Sequence, residues 1–227
     1  QKRMTTDFTG KTFGNYRLVS LLGQGGMASV YRAYQESIDR YVAIKVLPAE
    51  LLTDPSFLKR FNQEASTLAR LTHPSILQLF DYGEAHGVPY IVMPLMNGGS
   101  LADRLRGGPL SPDNTVRTLW PVAEALEFAH SQGVLHRDVK PSNILFDQLG
   151  NPFLADFGIS KVMKRTTELT LTGIIGTPDY MSPEQARAEP LDSRSDVYSL
   201  AVVAYHCLAG VTPFEGGTPM QVIFKQA

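Results

Sequence analysis

The stretch "LLGQGGMASVYRAY", residues 21–34, has the glycine spacing of a loop that covers phosphate groups. Gly23, Gly25 and Val30 occupy three positions of the pattern G-x-G-x-x-G-x-V, and Ala28 stands where that pattern has its third glycine. Glycine lets the backbone approach a phosphate closely because it has no Cβ. Two interpretations of this stretch remain open: a phosphate-binding loop with one altered position, and a glycine-rich hairpin without a ligand.

The stretch "GVLHRDVKPSNILF", residues 133–146, concentrates side chains that can carry protons and charges. His136, Arg137, Asp138, Lys140 and Asn143 all fall within residues 136–143. A structural scaffold gains little from such a density of polar groups, whereas an active site depends on it. Further along, "FLADFGISK" predicts a strand that runs into an Asp-Phe-Gly sequence, which by itself is an ordinary turn.

Two charged residues fall on predicted apolar faces. Glu64 lies on the helical stripe of Phe57, Phe61 and Leu68, and the alternation in "YVAIKV" places Lys45 opposite the β-branched residues. A buried charge costs free energy unless an opposite charge meets it, which favours a Lys45–Glu64 ion pair. The alternative is that Glu64 lies at the edge of the stripe and that Lys45 extends to water.

The elements that must position these residues change in character along the chain. Up to about residue 92 we predict strands at "YRLVSLL", "ASVYRAY", "YVAIKVL", "ILQLFDYGE" and "PYIVMPL". One helix interrupts them, with Asp54 as its predicted cap and Pro55 in its first turn. The apolar residues of that helix are Phe57, Phe61, Leu68 and Leu71.

Beyond "NGGS" the patterns are helical. "DNTVRTLWPVAEALEFAHSQG" and "SDVYSLAVVAYHCLAG" predict long helices that end at Gly133 and Gly210. We therefore predict an α+β fold for one domain over residues 1–227. Its small β-rich lobe covers about residues 16–96 and its larger, mainly helical lobe covers 97–227, with a glycine-containing hinge at 97–99.

Composition narrows the classes of partner. The 227 residues carry 21 basic and 22 acidic side chains and a net charge of -1, so we do not expect nucleic acid as a partner. Cys207 is the only cysteine, which excludes an internal disulfide, and its apolar neighbours predict a buried, inert thiol.

No apolar stretch reaches the roughly 18 residues of a membrane span, and no signal peptide opens the chain. Because position 1 is not Met, we expect a longer gene product.

Taken in order, the motifs resemble those of protein kinases from about Tyr16 to Phe224: the glycine loop, "VAIK", the helix glutamate, "HRDVKPSN", "DFG" and "SPE". The stretches "GTPDYMSPEQA" and "SRSDVYSL" are most similar to bacterial eukaryotic-like serine/threonine kinases. The resemblance implies the two-lobed kinase fold and transfer of the γ-phosphate of ATP to serine and threonine hydroxyls of proteins. Lys140 and Thr177 are features that such kinases use for Ser/Thr rather than Tyr substrates.

The resemblance also implies the catalytic roles. Asp138 would accept or orient the proton of the substrate hydroxyl, and Lys140 would reach the γ-phosphate. Lys45, held by Glu64, would hold the α- and β-phosphates. Catalysis of this reaction is mostly positioning and neutralisation of charge.

For the metal ion, the resemblance implies Asn143 and Asp156 as ligands. Hard oxygen ligands suit Mg²⁺, and Mn²⁺ is the alternative ion.

For the nucleotide, the resemblance places Met93 at the gatekeeper position and makes Pro94 and Met96 the hinge. Pro94 departs from the acidic residue common there, but it keeps its carbonyl, and the required donor is the N–H of Met96. Ser100 stands where many relatives have an acidic ribose contact. The residues expected to bind ATP are Gly23, Gln24, Gly25, Gly26, Val30, Ala43, Lys45, Met93, Pro94, Met96 and Leu145.

Structural support and regulation follow from the same resemblance. His136 and Phe157 would belong to a hydrophobic stack with Leu68 and Leu79, and Asp196 would hold the backbone near His136. We therefore assign His136 a structural role in preference to acid–base chemistry.

Arg137 is a cation beside the predicted catalytic Asp. A phosphothreonine between "DFG" and "SPE" would pair with it and order that loop. We predict autophosphorylation at Thr170 or Thr172, with Thr166 and Thr167 as further candidates.

The family continues beyond the position of Ala227 with helices that include an arginine partner for Glu184. We therefore expect Glu184 to lack that partner and apolar faces of the 196–210 helix to be uncovered. The second functional hypothesis is accordingly a catalytically weak nucleotide-binding or scaffold module. We expect a cytoplasmic location, with a cytoplasmic domain of a membrane-anchored protein as the alternative; pairing of two copies through their β-rich lobes stays open.

Overall fold

A computed structural model describes residues 7–25, 28–157, 178–214, 216 and 218–226. The chain forms two compact units. The first consists of Gln1–Ala69 and Gln78–Leu95, and the second of Arg70–Leu77 and Met96–Ala227.

The first unit is built on one antiparallel sheet whose strands are rich in β-branched and aromatic residues. The strand order is β1-β2-β3-β4-β6-β5. The strands are β1 (Thr12–Phe13), β2 (Tyr16–Gln24), β3 (Ser29–Gln35), β4 (Arg40–Val46), β5 (Asp81–Ala85) and β6 (Val88–Pro94).

One face of this sheet carries a hydrophobic core. Val42, Ile44 and Val46 of β4 point to this face because side chains alternate along a strand. They pack with apolar residues of the neighbouring strands, including the fully buried Phe13 and the nearly buried Tyr31. The alternation predicted from "YVAIKV" is therefore confirmed.

The opposite face carries Lys45. In the register of the sheet, Lys45 lies across from Val30 on β3, and Ala43 lies across from Met93 on β6. Directly paired residues of antiparallel strands project to the same side. This face therefore places the ammonium group of Lys45 among apolar side chains that include Val30, Ala43 and Met93, all within the first unit.

Helix α1 (Phe57–Leu68) packs on the face that carries Lys45. The ring of Phe61 meets the edge of Tyr82 with a centroid distance of 6.0 Å. Tyr82 pairs with Ile91, and Ile91 pairs with Lys45, so the three side chains share one side of the sheet. The helix buries Phe57, Phe61, Ala65 and Leu68 against the unit.

The predicted start of this helix is wrong by two residues. Ser56 is the N-cap, and Pro55 precedes the helix rather than occupying its first turn. Asp54 does not cap the helix because its Oδ1 accepts hydrogen bonds from the N and Oγ of Ser56, while its Oδ2 pairs with Arg60 at 2.5 Å. Leu71 is buried, but it lies beyond the last helical residue.

The second unit is mainly helical and contains a small two-stranded sheet. The elements described in it are α2 (Leu101–Leu105), α3 (Pro112–Ser131), β7 (Ile144–Phe146), β8 (Pro152–Leu154), α4 (Pro183–Ala186), α5 (Ser193–Ala209) and α6 (Pro219–Gln226). A β-rich first unit with one long helix and a helical second unit confirm the α+β class.

Both long helices predicted in this unit are confirmed. Helix α3 begins after Ser111, whose Oγ accepts from the N–H of Asn114, and Gly133 follows its end with a φ of 73°. Helix α5 ends at Gly210, which adopts a φ of 76°. These positive angles are the reason that glycine closes both helices.

Helix α5 has one buried and one exposed apolar side. Cys207 is fully buried, as predicted, and burial raises the pKa of its thiol to about 11. Val197, Tyr205 and Leu208 are exposed on the same helix, as the sequence predicted. None of the helices in the described part of the chain is long and apolar enough to cross a membrane.

The strand predicted at residues 76–84 starts later than expected. Strand β5 begins at Asp81, because Ile76 and Leu77 at the start of the predicted strand belong to the second unit and pair there with β8. There the N–H of Leu77 donates to the carbonyl of Leu154, and the N–H of Leu154 donates to the carbonyl of Ser75.

Residues 97–99 are hydrogen-bonded to β7. The N–H of Gly98 donates to the carbonyl of Phe146 at 2.9 Å. A Cβ on Gly98 would lie 2.2 Å from the carbonyl oxygen of Asp147, so a larger residue cannot stand there without a shift of the backbone.

Candidate active site

The glycine loop lies between β2 and β3 of the first unit. Gly23 pairs with Val30, Gln24 pairs with Ser29, and the N–H of Gly25 donates to the carbonyl of Ala28 at 2.9 Å. Ala28 directly precedes β3, which begins at Ser29. The predicted ligand residue Gly26 lies outside the described residues.

Neither Gly23 nor Gly25 is required by the packing of the loop. Among the described residues, a Cβ on Gly23 would meet no atom within 4 Å, and a Cβ on Gly25 would lie 3.9 Å from the carbonyl of Ala28. Neither residue has a positive φ. The described part of the chain would therefore accept a Cβ at both positions, and the glycines fit a loop whose backbone must leave room for a ligand.

The residues predicted for the adenine ring divide between the units. Val30, Ala43 and Met93 share the Lys45 face of the sheet, and Pro94 ends β6 opposite Val42. Met96 and Leu145 belong to the second unit, where Leu145 lies on β7 and is half-buried.

Lys45 and Glu64 are both half-buried side chains of the first unit. Lys45 projects from the sheet face on which α1 packs, and Glu64 belongs to α1 in the stripe between Phe61 and Leu68. This placement is compatible with the expected ion pair, which stays a prediction.

The catalytic-loop residues converge within the second unit on one carboxylate. Oδ2 of Asp138 accepts from Nζ of Lys140 at 2.8 Å and from Nδ2 of Asn143 at 3.2 Å. In the described part of the chain, Oδ1 of Asp138 accepts no hydrogen bond. With 39% of the side chain exposed, one carboxylate oxygen is held in place and the other is open to a ligand.

The amide of Asn143 is oriented by the same carboxylate and its backbone. Nδ2 donates to the carbonyl of Asp138 at 2.8 Å as well as to Oδ2, which uses both of its hydrogens. The remaining amide atom is Oδ1, the oxygen that a hard cation requires. The N–H of Ala155 donates to the carbonyl of Asn143, and Asp156 is the residue that follows Ala155. This placement is compatible with Asn143 and Asp156 as ligands of Mg²⁺, which stays a prediction.

Two non-glycine residues of the site adopt left-handed backbone angles. Arg137 has a φ of 69° and Asp156 a φ of 66°. Such angles cost on the order of 1–3 kcal/mol in residues with a Cβ, and they persist only where the surroundings impose them.

The buried carboxylate of Asp196 imposes the conformation at Arg137. Oδ2 accepts from the N–H of His136 at 2.8 Å, and Oδ1 accepts from the N–H of Arg137 at 2.7 Å. Burial by itself would raise the pKa of Asp196, but the hydrogen bonds from His130 and from these backbone groups outweigh it and hold the pKa below its usual value. The predicted contact between Asp196 and the backbone near His136 is confirmed.

His136 is a structural residue in a fully buried position. Its Nδ1 accepts from the N–H of Asp138 and its Nε2 lies 2.8 Å from the carbonyl of Ala155, which can only accept. The ring is therefore neutral with its proton on Nε2, in agreement with burial, which lowers its pKa. Its ring also meets the edge of Phe157 at 4.5 Å, as predicted for that pair.

Two supporting residues were missed by sequence reasoning. Nε2 of His130 lies 2.8 Å from Oδ2 of Asp196, and Nε2 of Gln185 donates to the carbonyl of Arg137 at 2.8 Å. Their partners are distant in the chain, and a histidine in a helix or a glutamine after "SPE" gives no local signal of such a contact.

Other predicted residues are placed as follows. Glu184 accepts a hydrogen bond from the hydroxyl of Ser195, which lowers its pKa. Ser100 caps α2 in a capping box with Asp103. Thr177 and the candidate phosphorylation sites Thr166, Thr167, Thr170 and Thr172 lie outside the described residues.

Comparison with known proteins places this arrangement in a family. Residues 16–227 match the family described as the protein kinase domain. Serine/threonine-protein kinase PknB of Mycobacterium leprae is 43% identical over 216 residues, which cover 92% of this chain and 35% of that protein. The PknB of Mycobacterium tuberculosis is 42% identical over 217 residues, with the same two shares.

The solved structures agree with the sequence comparison. The crystal structure of the PknI kinase domain of Mycobacterium tuberculosis is similar with a TM-score of 0.75 and 32% identity, over 94% of this chain and 81% of that one. The chain belongs to the protein kinase family. It spans 35% of the length of the Mycobacterium leprae relative, so activity and substrates are argued below as proposals.

Proposed function

We propose that this chain is the catalytic domain of a serine/threonine protein kinase that transfers the γ-phosphate of ATP to serine and threonine hydroxyls of proteins. The observation that carries the proposal is the Asp138 carboxylate, which has one oxygen fixed by Lys140 and Asn143 and the other open. The names of the similar proteins, all serine/threonine-protein kinases, support the same acceptor groups.

The substrate hydroxyl would meet the open oxygen of Asp138. Oδ1 would accept its proton as a hydrogen bond and direct the hydroxyl oxygen towards the phosphorus. Nζ of Lys140, 2.8 Å from the other carboxylate oxygen, would place a positive charge beside the phosphoryl group that is transferred.

The remaining residues would bind the nucleotide and the metal. Gly23, Gln24 and Gly25 would cover the phosphates, and Lys45 would neutralise part of their charge. Asn143 and Asp156 would hold Mg²⁺, which supplies charge neutralisation on the phosphate oxygens when it is bound.

The test compares phosphate transfer by the wild type and by Asp138→Asn, with labelled ATP, Mg²⁺ and a generic basic protein. We expect the substitution to lower the transfer rate by about 10²–10⁴-fold. Asp113→Asn is the matched control because Asp113 is exposed on α3, and it should retain the wild-type rate. Equal transfer by wild type and Asp138→Asn would overturn the assignment of the base. ATP binding without any transfer would instead identify a nucleotide-binding module.

We also propose regulation by autophosphorylation on Thr170 or Thr172. The supporting observation is Arg137, whose Nε is buried and has no hydrogen-bond partner within the described part of the chain. A phosphothreonine would bring a charge of about −1.5 to −2 to this guanidinium. Mass spectrometry after incubation with ATP should find phosphate between Lys161 and Gly173; its absence from an active preparation would refute the proposal.

The partners expected for this activity are ATP and proteins with accessible serine or threonine residues. Such a reaction would take place in a compartment that contains ATP, such as the cytoplasm. Pairing of two copies through the first unit stays a prediction.

A further inference from the structure

The sequence contains one Asn-Gly pair, Asn97–Gly98, which lies in the second unit shortly before α2. Asparagine is a thermolabile residue. The backbone nitrogen of the next residue can attack its side-chain amide, and a following glycine permits that approach because it has no Cβ. Asn97 is exposed, so the amide has access to water.

The structure holds the attacking nitrogen in a hydrogen bond. The N–H of Gly98 donates to the carbonyl of Phe146 at 2.9 Å, and the N–H of Phe146 donates to the carbonyl of Gly99 at 2.9 Å. Phe146 is fully buried on β7. Attack requires the nitrogen of Gly98 to lose the proton that it donates, so residues 97–99 must first separate from β7.

The pair cannot lose its glycine without a change in the backbone. A Cβ on Gly98 would lie 2.2 Å from the carbonyl oxygen of Asp147 and 2.7 Å from that of Phe146. Both are backbone atoms, which cannot turn away as the end of a flexible side chain can. The packing that makes glycine necessary at this position therefore also supplies the hydrogen bond that protects the pair.

A helix cap anchors the end of the segment. Oγ of Ser100 accepts from the N–H of Asp103 at 3.1 Å, and Oδ2 of Asp103 accepts from the N–H of Ser100 at 2.8 Å. Ser100 also pairs with Leu145 on β7. This capping box holds the backbone that follows Gly99 and so opposes the separation of residues 97–99 from β7.

We propose that Asn97 is a site of non-enzymatic deamidation, with water as the reagent, whose rate is set by the separation of residues 97–99 from β7. The nitrogen of Gly98 loses its proton and forms a bond to Cγ of Asn97, and the bond from Cγ to Nδ2 breaks as ammonia leaves. Water then opens the succinimide ring, at Cγ to give aspartate or at the backbone carbonyl of Asn97 to give isoaspartate.

The two products differ in their effect on the segment. Aspartate restores the N–H of Gly98 in the original backbone. Isoaspartate carries the backbone through Cβ and Cγ, which lengthens it by one carbon atom between Met96 and Gly98. The N–H of Gly98 is then displaced from the carbonyl of the buried Phe146, and a buried carbonyl without a donor destabilises the fold.

The test follows deamidation of Asn97 by peptide mass spectrometry in the folded chain and in the chain unfolded by urea, at the same mildly alkaline pH. We expect the folded chain to react at least about tenfold more slowly, because only the open segment reacts. Ser100→Ala removes the cap and should speed the reaction severalfold in the folded chain alone. Ser111→Ala, the same change at the cap of α3, is the matched control and should retain the wild-type rate in both conditions.

The effect of the product is measured on aged protein. The isoaspartate form, separated by chromatography, should melt at a lower temperature than fresh protein. Asn97→Gln cannot form the five-membered ring and should keep its initial melting temperature after the same incubation. An isoaspartate form that melts like fresh protein would refute the displacement of Gly98 from Phe146.

Three further outcomes would overturn the inference. Absence of deamidation at Asn97 in urea removes the site itself, and equal rates in the folded and unfolded chains remove the protection. A rate for Ser100→Ala equal to that of the wild type shows that the opening of this segment does not set the rate. If that variant does not fold, Asp103→Ala, which removes the other half of the capping box, decides in the same way. Each result is independent of phosphate transfer, so this inference and the proposed function can fail separately.

Discussion

At the scale of single residues, Asn143 shows how one pair of hydrogen bonds can orient two functional groups. Its two amide hydrogens are used by the backbone and the carboxylate of Asp138, so its oxygen is the atom left for a cation. The proposed base and the proposed metal ligand are thus oriented by the same pair of hydrogen bonds. A substitution at either position would disturb both groups.

The glycine loop gives a prediction about single residues. Gly23→Ala should leave the free energy of unfolding within about 0.5 kcal/mol of the wild type, because the new Cβ meets no described atom within 4 Å. It should nevertheless raise the KM for ATP, since the methyl group would occupy space that the phosphates need. Chemical unfolding and steady-state kinetics measure the two quantities.

Ala28→Gly is the matched change in the opposite direction. Ala28 directly precedes β3, and Gly23 and Gly25 lie on the other side of the loop, so we expect the KM for ATP to stay within threefold of the wild type, or about 0.7 kcal/mol. A larger change would show that the alanine methyl group adjusts the loop.

At the scale of elements, α5 stabilises the catalytic loop through Asp196. Asp196 is 1% exposed, and its carboxylate accepts from two consecutive backbone N–H groups. Asp196→Asn would set an NH₂ group against one of these donors, and we expect a loss of about 2–4 kcal/mol in the free energy of unfolding.

The control for this prediction lies on the same helix. Asp192 is the exposed N-cap of α5, and asparagine caps helices as well as aspartate does. Asp192→Asn should therefore change the unfolding free energy by less than about 0.5 kcal/mol. Equal losses in the two variants would mean that Asp196 has no special structural role.

The buried His136 and the half-buried His206 predict how the free energy of unfolding depends on pH. Burial lowers the pKa of His136 and of His206 below the ordinary value of 6.5. The unfolded chain therefore binds these protons first, and stability is complete above pH 6.5 and falls as the pH decreases. Each proton taken up on unfolding should lower the unfolding free energy by up to about 1.4 kcal/mol per pH unit.

His206→Asn isolates one of the two contributions. The asparagine oxygen can still accept from the hydroxyl of Tyr180, which lies 2.7 Å from Nδ1 of His206. Unfolding curves at pH 7.5, 6.5 and 5.5 should then show a shallower loss of stability than the wild type. The same slope in both proteins would contradict the assignment.

Local patterns predicted most elements of this fold, and the failures have physical causes. The alternation around Lys45 and the glycines after α3 and α5 are local signals, and both were interpreted correctly. The pattern of residues 76–80 predicts a strand, because the pairing of Leu77 with Leu154 is a contact between distant parts of the chain that no local pattern shows. Asp54 has the residue type and position of a cap, but sequence alone does not show which N–H groups its carboxylate meets.

In the candidate site, too, local patterns were predictable from the sequence and contacts between distant residues were not. Motif spacing predicted Asp138, Lys140 and Asn143, and the structure brings these three together. The supporting role of Gln185 could not be predicted, since its contact with the carbonyl of Arg137 joins residues 48 positions apart in sequence.

For the whole molecule, ligand binding should increase the free energy of unfolding. ATP with Mg²⁺ at a hundred times its dissociation constant should raise the unfolding free energy by about 2.7 kcal/mol. Lys45→Met weakens phosphate binding and should reduce this increase at the same ATP concentration, whereas Lys59→Met, on the exposed side of α1, should retain it. A full increase in both variants would exclude Lys45 as a phosphate ligand.

The left-handed angles at Arg137 and Asp156 also bear on how this protein can evolve. Glycine adopts such angles without strain, so Arg137→Gly and Asp156→Gly would each relieve backbone strain at the cost of a functional side chain. Selection for stability alone would favour glycine at both positions, and selection for activity opposes it. A lineage released from the need for phosphate transfer should lose these two side chains early while it keeps its fold.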